Sequence, residues 1–76
     1  MSFRIQIASV PDRDETVCEI WFDELLFAEI RKDASNLLII DIYNNPNKNN
    51  WIFDAHDTIN IIKDALTLIN PTDTNS

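Results

Sequence analysis

Few side chains in this sequence have the type and spacing that bond-making chemistry requires. One histidine, His56, and one cysteine, Cys18, are present. A metal centre or general base built on His56 needs a second imidazole or a thiolate at ligand spacing, and none is spaced to join it. Asp54 and Asp57 fall on one helical turn, where they suit helix capping better than cation binding. Cys18 has no local histidine or basic helix end to lower its pKa, so it reads as a buried structural thiol and not as a nucleophile. With no glycine anywhere in the chain, a glycine-rich phosphate loop is excluded. These residues predict a protein that is not an enzyme and needs neither metal nor cofactor.

The residues that remain suit recognition. In residues 16–22, Cys18, Ile20 and Phe22 point one way, and Val17, Glu19 and Trp21 the other. In residues 25–31, Leu26, Ala28 and Ile30 oppose Leu25, Phe27, Glu29 and Arg31. A half-buried strand reads apolar on one side and polar on the other. Here the nominal solvent side interleaves aromatics with carboxylates. The candidate partner-binding set is Glu19, Trp21, Phe27, Glu29, Asp41 and Tyr43, with Ile39 beside them. Aromatic anchors supply much of the energy of interfaces, and a carboxylate rim steers a basic partner.

Positioning that set requires a sheet. Residues 3–10 alternate Phe3, Ile5 and Ile7 against Arg4, Gln6 and Ala8, and Pro11 ends that strand before a charged turn through Glu15. Aligning the small apolar faces of the next two strands sets Cys18 opposite Ile30, Ile20 opposite Ala28 and Phe22 opposite Leu26. That register needs a three-residue loop, Asp23-Glu24-Leu25, whereas a two-residue loop flips the faces of the third strand. Residues 37–43 are the most apolar strand, which predicts a central position in the sheet, with Leu38, Ile40 and Ile42 inward and Ile39, Asp41 and Tyr43 outward. The loop 44–50 relies on asparagine for left-handed backbone angles. Residues 51–53 read as a short fifth strand.

A helix follows, with Asp54 as its N-cap and Asp57 three residues on. Ala55, Ile59, Ile62, Leu66 and Ile69 form one stripe, widened by Ile61, Ala65 and Leu68, and Asn70-Pro71 stops it. The expected fold is α+β: an antiparallel β-meander of about five strands with one C-terminal helix packed on one sheet face. One domain spans residues 1–76, with 71–76 a frayed tail. A single helix covers one face only, so the aromatic–carboxylate face is the one left open.

Thirteen acidic against six basic residues give a net charge of −7. That balance argues against direct nucleic-acid binding and against an anionic membrane surface. No apolar run approaches the roughly 20 residues that span a bilayer. The lone cysteine and the absence of a visible signal peptide favour a reducing cytoplasm.

The stretch Ala8-Ser9-Val10-Pro11-Asp12-Arg13 through Val17-Cys18-Glu19-Ile20-Trp21, then Ala28-Glu29-Ile30, resembles small acidic bacterial immunity proteins. Such proteins are encoded beside the toxins of contact-dependent inhibition and related polymorphic toxin systems. The likeness spans most of the chain in size, charge and pattern, and carries no binding residue over. It implies a cytoplasmic antidote that binds a basic toxin domain, often a nuclease, and blocks its active site. Two other readings stand beside it. In one, the same face packs on a second copy as a structural homodimer. In the other, the carboxylates mimic nucleic acid toward a DNA-binding protein.

Overall fold

The computed structural model describes residues 2–10 and 15–70. Four strands and a helix follow in chain order: β1 (Phe3–Val10), β2 (Glu15–Phe22), β3 (Leu25–Lys32), β4 (Leu38–Ile42) and α1 (Ala55–Ile69). The strands form one antiparallel sheet in the order β1-β2-β3-β4, so the most apolar strand, β4, stands at an edge and not at the centre, with Ile40 and Ile42 exposed. The charged turn expected after Val10, apart from Glu15, and the expected tail at 71–76 lie outside the described residues.

The sheet has four strands, not five. Residues 51–53 alternate like a strand but pair with none among the described residues. Their rings serve the core instead. Phe53 packs against Phe22, Phe3 and Phe27 at centroid distances of 4.7, 4.8 and 4.9 Å, and Trp51 stands edge-on to Phe27 at 5.3 Å. The Trp51 indole N–H donates to the Tyr43 carbonyl at 2.8 Å, tying this segment to the end of β4. Period-2 alternation can place rings on one side of an extended chain without any ladder, which is why the sequence reads as a strand there.

The β2–β3 hairpin combines the two registers that the sequence leaves open. Cys18 faces Ile30 and Ile20 faces Ala28, as the apolar alignment requires. The turn is nevertheless two residues long, Asp23-Glu24, and sets Phe22 opposite Leu25 and Trp21 opposite Leu26. The mismatch is absorbed by a β-bulge in β3, where Phe27 has no partner on β2. One extra residue shifts the alternation by one step. Leu26 therefore shares the face of Trp21, and Phe27 joins Ala28 on the helix side, the reverse of the sequence expectation for both. Asp23 takes a left-handed φ of 53° in the turn, and its N–H and carboxylate bond the backbone of Ser2, each at 2.9 Å.

The turn into β4 is organised by Asp33. Its carboxylate accepts from the Ser35 N–H, the Ser35 hydroxyl and the Leu37 N–H at 2.8–3.0 Å, which holds this exposed carboxyl below the ordinary aspartate range. In the 44–50 loop the left-handed position falls on Lys48 (φ 63°), not on an asparagine. Asn45 supports it from outside, its carbonyl accepting from the Lys48 N–H at 2.9 Å and its side chain from the Asn47 N–H at 2.9 Å.

The core gathers Cys18, Ile20, Phe27, Ala28 and Ile30 of the sheet against Ala65 of α1. Asp54 caps the helix as predicted, its carboxylate accepting from the Asp57 N–H at 3.0 Å. The packed stripe is rotated from the one read in the sequence. Ala65 is fully buried at its centre, with Ile61, Ile62, Leu66 and Ile69 around it, while Ala55, Ile59 and Leu68 are exposed. The small Ala65 side chain lets the helix backbone approach β2, and the bulkier isoleucines straddle that line.

Cys18, with no exposed surface, provides a direct check on this core. Burial, and secondarily the neighbouring Glu19 charge, push its thiol pKa up. In native protein it should resist a thiol reagent such as Ellman's reagent and react fully once unfolded in denaturant. Native labelling at the rate of a free thiol would mean that β2 is not packed as described.

Candidate functional site

The sheet face away from α1 is built from alternate residues of all four strands. Register places Gln6 opposite Glu19, Glu19 opposite Glu29, and Glu29 opposite Asp41. The result is a lateral row across the whole sheet, one residue per strand and ending in three carboxylates. Neighbouring strands lie about 4.8 Å apart, and like charges directly opposite each other destabilise a sheet.

Each carboxylate is met by a donor on the same face. The Trp21 indole N–H donates to Glu19 Oε1 at 3.0 Å, and the Tyr43 hydroxyl to Glu29 Oε1 at 3.1 Å. Arg31 Nε donates to Asp41 Oδ2 at 3.1 Å and lies 3.9 Å from Glu29 Oε2. The Arg4 guanidinium stacks over the Trp21 ring at 4.8 Å and donates to Gln6 Oε1 at 2.9 Å. A partly exposed ion pair such as Arg31–Asp41 contributes only about 0.2–1 kcal/mol to stability. Its larger effect is to fix the carboxylates in place. Val17 stands on this face at 1% exposure although no described element lies over it.

Of the six residues expected in the binding set, the structure brings Glu19, Trp21, Glu29, Asp41 and Tyr43 onto one face. Phe27 is not among them. It is 5% exposed and sits among Phe3, Trp51 and Phe53, because the bulge turns it inward. The face consequently carries one ring fewer than the sequence implies, with Leu26 brought onto it in exchange. Trp21 is half-buried under Arg4, and Tyr43 is its most exposed aromatic.

Tyr43 also carries a titration signature. Desolvation first, then its hydrogen bond to Glu29 and the charges of Glu29, Asp41 and Glu19, raise its phenol above the ordinary value. The folded state thus favours the neutral phenol, giving stability that is present below the unfolded pKa and lost as pH rises through the folded one. Because it is the one tyrosine in the chain, tyrosinate absorbance reads it directly. Its midpoint should lie above that of a free tyrosine and fall back toward it in Glu29→Ala. An unshifted midpoint in the native protein would contradict the Tyr43–Glu29 contact.

A second concavity lies on the helix side, toward β1, with a volume of about 470 Å³. Phe3, Phe22 and Phe53 line it, Ile52 stands at its mouth 85% exposed, and Asp57 and Asp64 of α1 line it with the capping Asp54. Sequence reasoning missed this site. The available signal was the spacing of Asp57 and Asp64, seven residues apart, which puts both acids on one flank of the helix. His56 is exposed in the first turn of α1, and no group of three His, Cys, Asp or Glu residues among those described could hold a metal ion. No helix among the described residues is long and apolar enough to cross a membrane.

Comparison of the chain with protein-family models, curated proteins and solved structures gave no match.

Proposed function

We propose that this chain is a non-enzymatic antidote that binds a basic toxin domain, of nuclease type, and blocks it with the open face of the sheet. The observation that carries the reading is the row Glu19–Glu29–Asp41, held in lateral register on a face that no described element covers. Placing like charges side by side costs stability, and a bound cationic surface relieves that cost. The carboxylates are oriented before binding by Trp21, Tyr43 and Arg31, so little ordering entropy is lost on docking. In this role they stand where a nuclease would hold substrate phosphates. Trp21 and Tyr43 supply the apolar contact, with the Arg4 guanidinium displaced or kept as part of the surface.

The sheet face is preferred to the pocket beside α1 because its three carboxylates stand in one lateral row and are flanked by the aromatic side chains of Trp21 and Tyr43. The test is co-expression with the basic C-terminal domain of a large open reading frame lying directly upstream. The chain should restore growth and, when purified, inhibit the domain's nuclease activity at equimolar ratio. A toxic basic domain at that locus that neither binds the chain nor is inhibited by it contradicts the proposal.

A further inference from the structure

We propose that the outer edge of β4, with the apolar groove beside it, captures an extended segment of the basic partner in which cationic and apolar residues alternate. This rests on the reading of the chain as a binder of a basic protein and specifies how the partner is held. β4 is the last strand of the sheet, and no described residue pairs with its outer edge. The Tyr43 N–H donates to the Phe27 carbonyl at 2.9 Å, and Glu29–Asp41 follows in the same phase. Antiparallel alternation then turns the N–H and C=O groups of Leu38, Ile40 and Ile42 outward.

Open edges are normally protected by lysine, proline or a bulge. The strand Leu-Ile-Ile-Asp-Ile has none of these, and its one charge, Asp41, is turned to Arg31. On the helix side, α1 packs chiefly over β2 and less closely over its neighbours β1 and β3. Between α1 and β4 lies a groove of about 230 Å³ lined by Ile30, Leu38, Ile39, Ile40, Ile62 and Leu66. Ile42 beside it is 59% exposed.

A strand added to β4 meets a different demand on each face. On the open face, the residue beside Asp41 extends the row Glu19–Glu29–Asp41. There Glu29 and Asp41 share one guanidinium, so the row ends with a net negative charge and favours a cation. Side chains on either side of that residue turn to the helix face and enter the apolar groove. Edge pairing supplies affinity through the backbone while alternate side chains supply specificity. A second copy of this chain fits poorly, because its β4 offers no cation and each chain carries a charge of −7.

The experiment titrates the isotope-labelled chain with a short synthetic peptide of alternating lysine and valine. A control peptide has the same sequence N-methylated at every second residue, which blocks edge pairing and keeps the charge. The expected result is slowed amide exchange at Leu38, Ile40 and Ile42, and affinity at least about tenfold weaker for the methylated peptide. Ile42→Pro removes an outward N–H without removing a β3–β4 bond and should weaken the parent peptide to a similar degree. Ile42→Lys, which keeps every backbone donor, should also lose affinity by placing a cation at the groove. Equal binding of both peptides overturns edge capture while leaving the basic-partner reading intact. Absence of binding by either peptide overturns edge capture, as does a free chain that is already dimeric with protected β4 amides.

Discussion

Replacing Phe27 by alanine is expected to destabilise the fold by about 3–5 kcal/mol, the usual cost of deleting a buried aromatic ring. The ring lies at the meeting point of three others, Phe3, Trp51 and Phe53. Its loss leaves a cavity that the extended 51–53 segment cannot fill without giving up the Trp51–Tyr43 hydrogen bond. Native domains are stable by only about 5–15 kcal/mol, and small ones lie at the lower end, so this variant should be close to unfolding at physiological temperature. Urea denaturation measures the effect, with Ile62→Ala on the packed side of α1 as a cavity-forming control at about 2–5 kcal/mol. A Phe27→Ala protein that melts like the parent would mean that Phe27 stands on the open face and that β3 has no bulge.

Trp21→Ala should show the opposite profile. Trp21 is half-buried on the open face, held by Glu19 and Arg4 and not by the core. Truncation should cost the isolated fold about 1 kcal/mol, as for a partly exposed residue outside the core, and weaken binding of the basic domain by about 2 kcal/mol or more. Glu29→Gln sharpens the contrast. It removes the central charge of the carboxylate row but keeps an acceptor for Tyr43 and Arg31. Relief of cross-strand repulsion should leave stability unchanged or slightly raised, while affinity and its salt dependence fall. Denaturant melts and titration with the basic domain, run on the same preparations, separate the two effects. If Trp21→Ala unfolds the protein as badly as Phe27→Ala, the two faces have been exchanged.

Most of the fold is legible in the sequence because its periodicities are local. The four strands, the alternation phase of β1, β2 and β4, the Asp54 cap and the end of α1 follow from alternation, helical spacing and turn chemistry, whereas the edge position of β4, which leaves Ile40 and Ile42 exposed, does not. The departures share one physical origin, which is that long-range packing decides between locally equivalent options. Nothing local distinguishes a two-residue turn with a bulge from a three-residue loop, and the choice reverses Leu26 and Phe27. Only the rings of Phe3, Trp51 and Phe53 make the inward Phe27 favourable. The same cluster uses residues 51–53 as packing material where the sequence suggests a ladder. Likewise the helical stripe identifies an apolar arc but not the part of it that the sheet covers. That is set by where Ala65 permits close approach.

The candidate site was legible to the same extent as the register. Glu19, Trp21, Asp41 and Tyr43 sit on strands whose phase is continuous, and Glu29 lies on the β4-proximal side of the bulge, where phase is preserved. Their hydrogen-bonded partners were not legible, since Arg4 and Arg31 come from different strands and meet the row only in three dimensions.

The most direct test of the account is an amide and side-chain footprint of the chain bound to the proposed basic partner domain, read by NMR shift changes. Protection centred on Glu19, Trp21, Glu29, Asp41 and Tyr43, with the exposed Leu68 flank of α1 unchanged, is the predicted result. A footprint centred instead on Ile52, Asp57 and Asp64 would place the partner in the pocket beside α1 and contradict the sheet face as the binding surface.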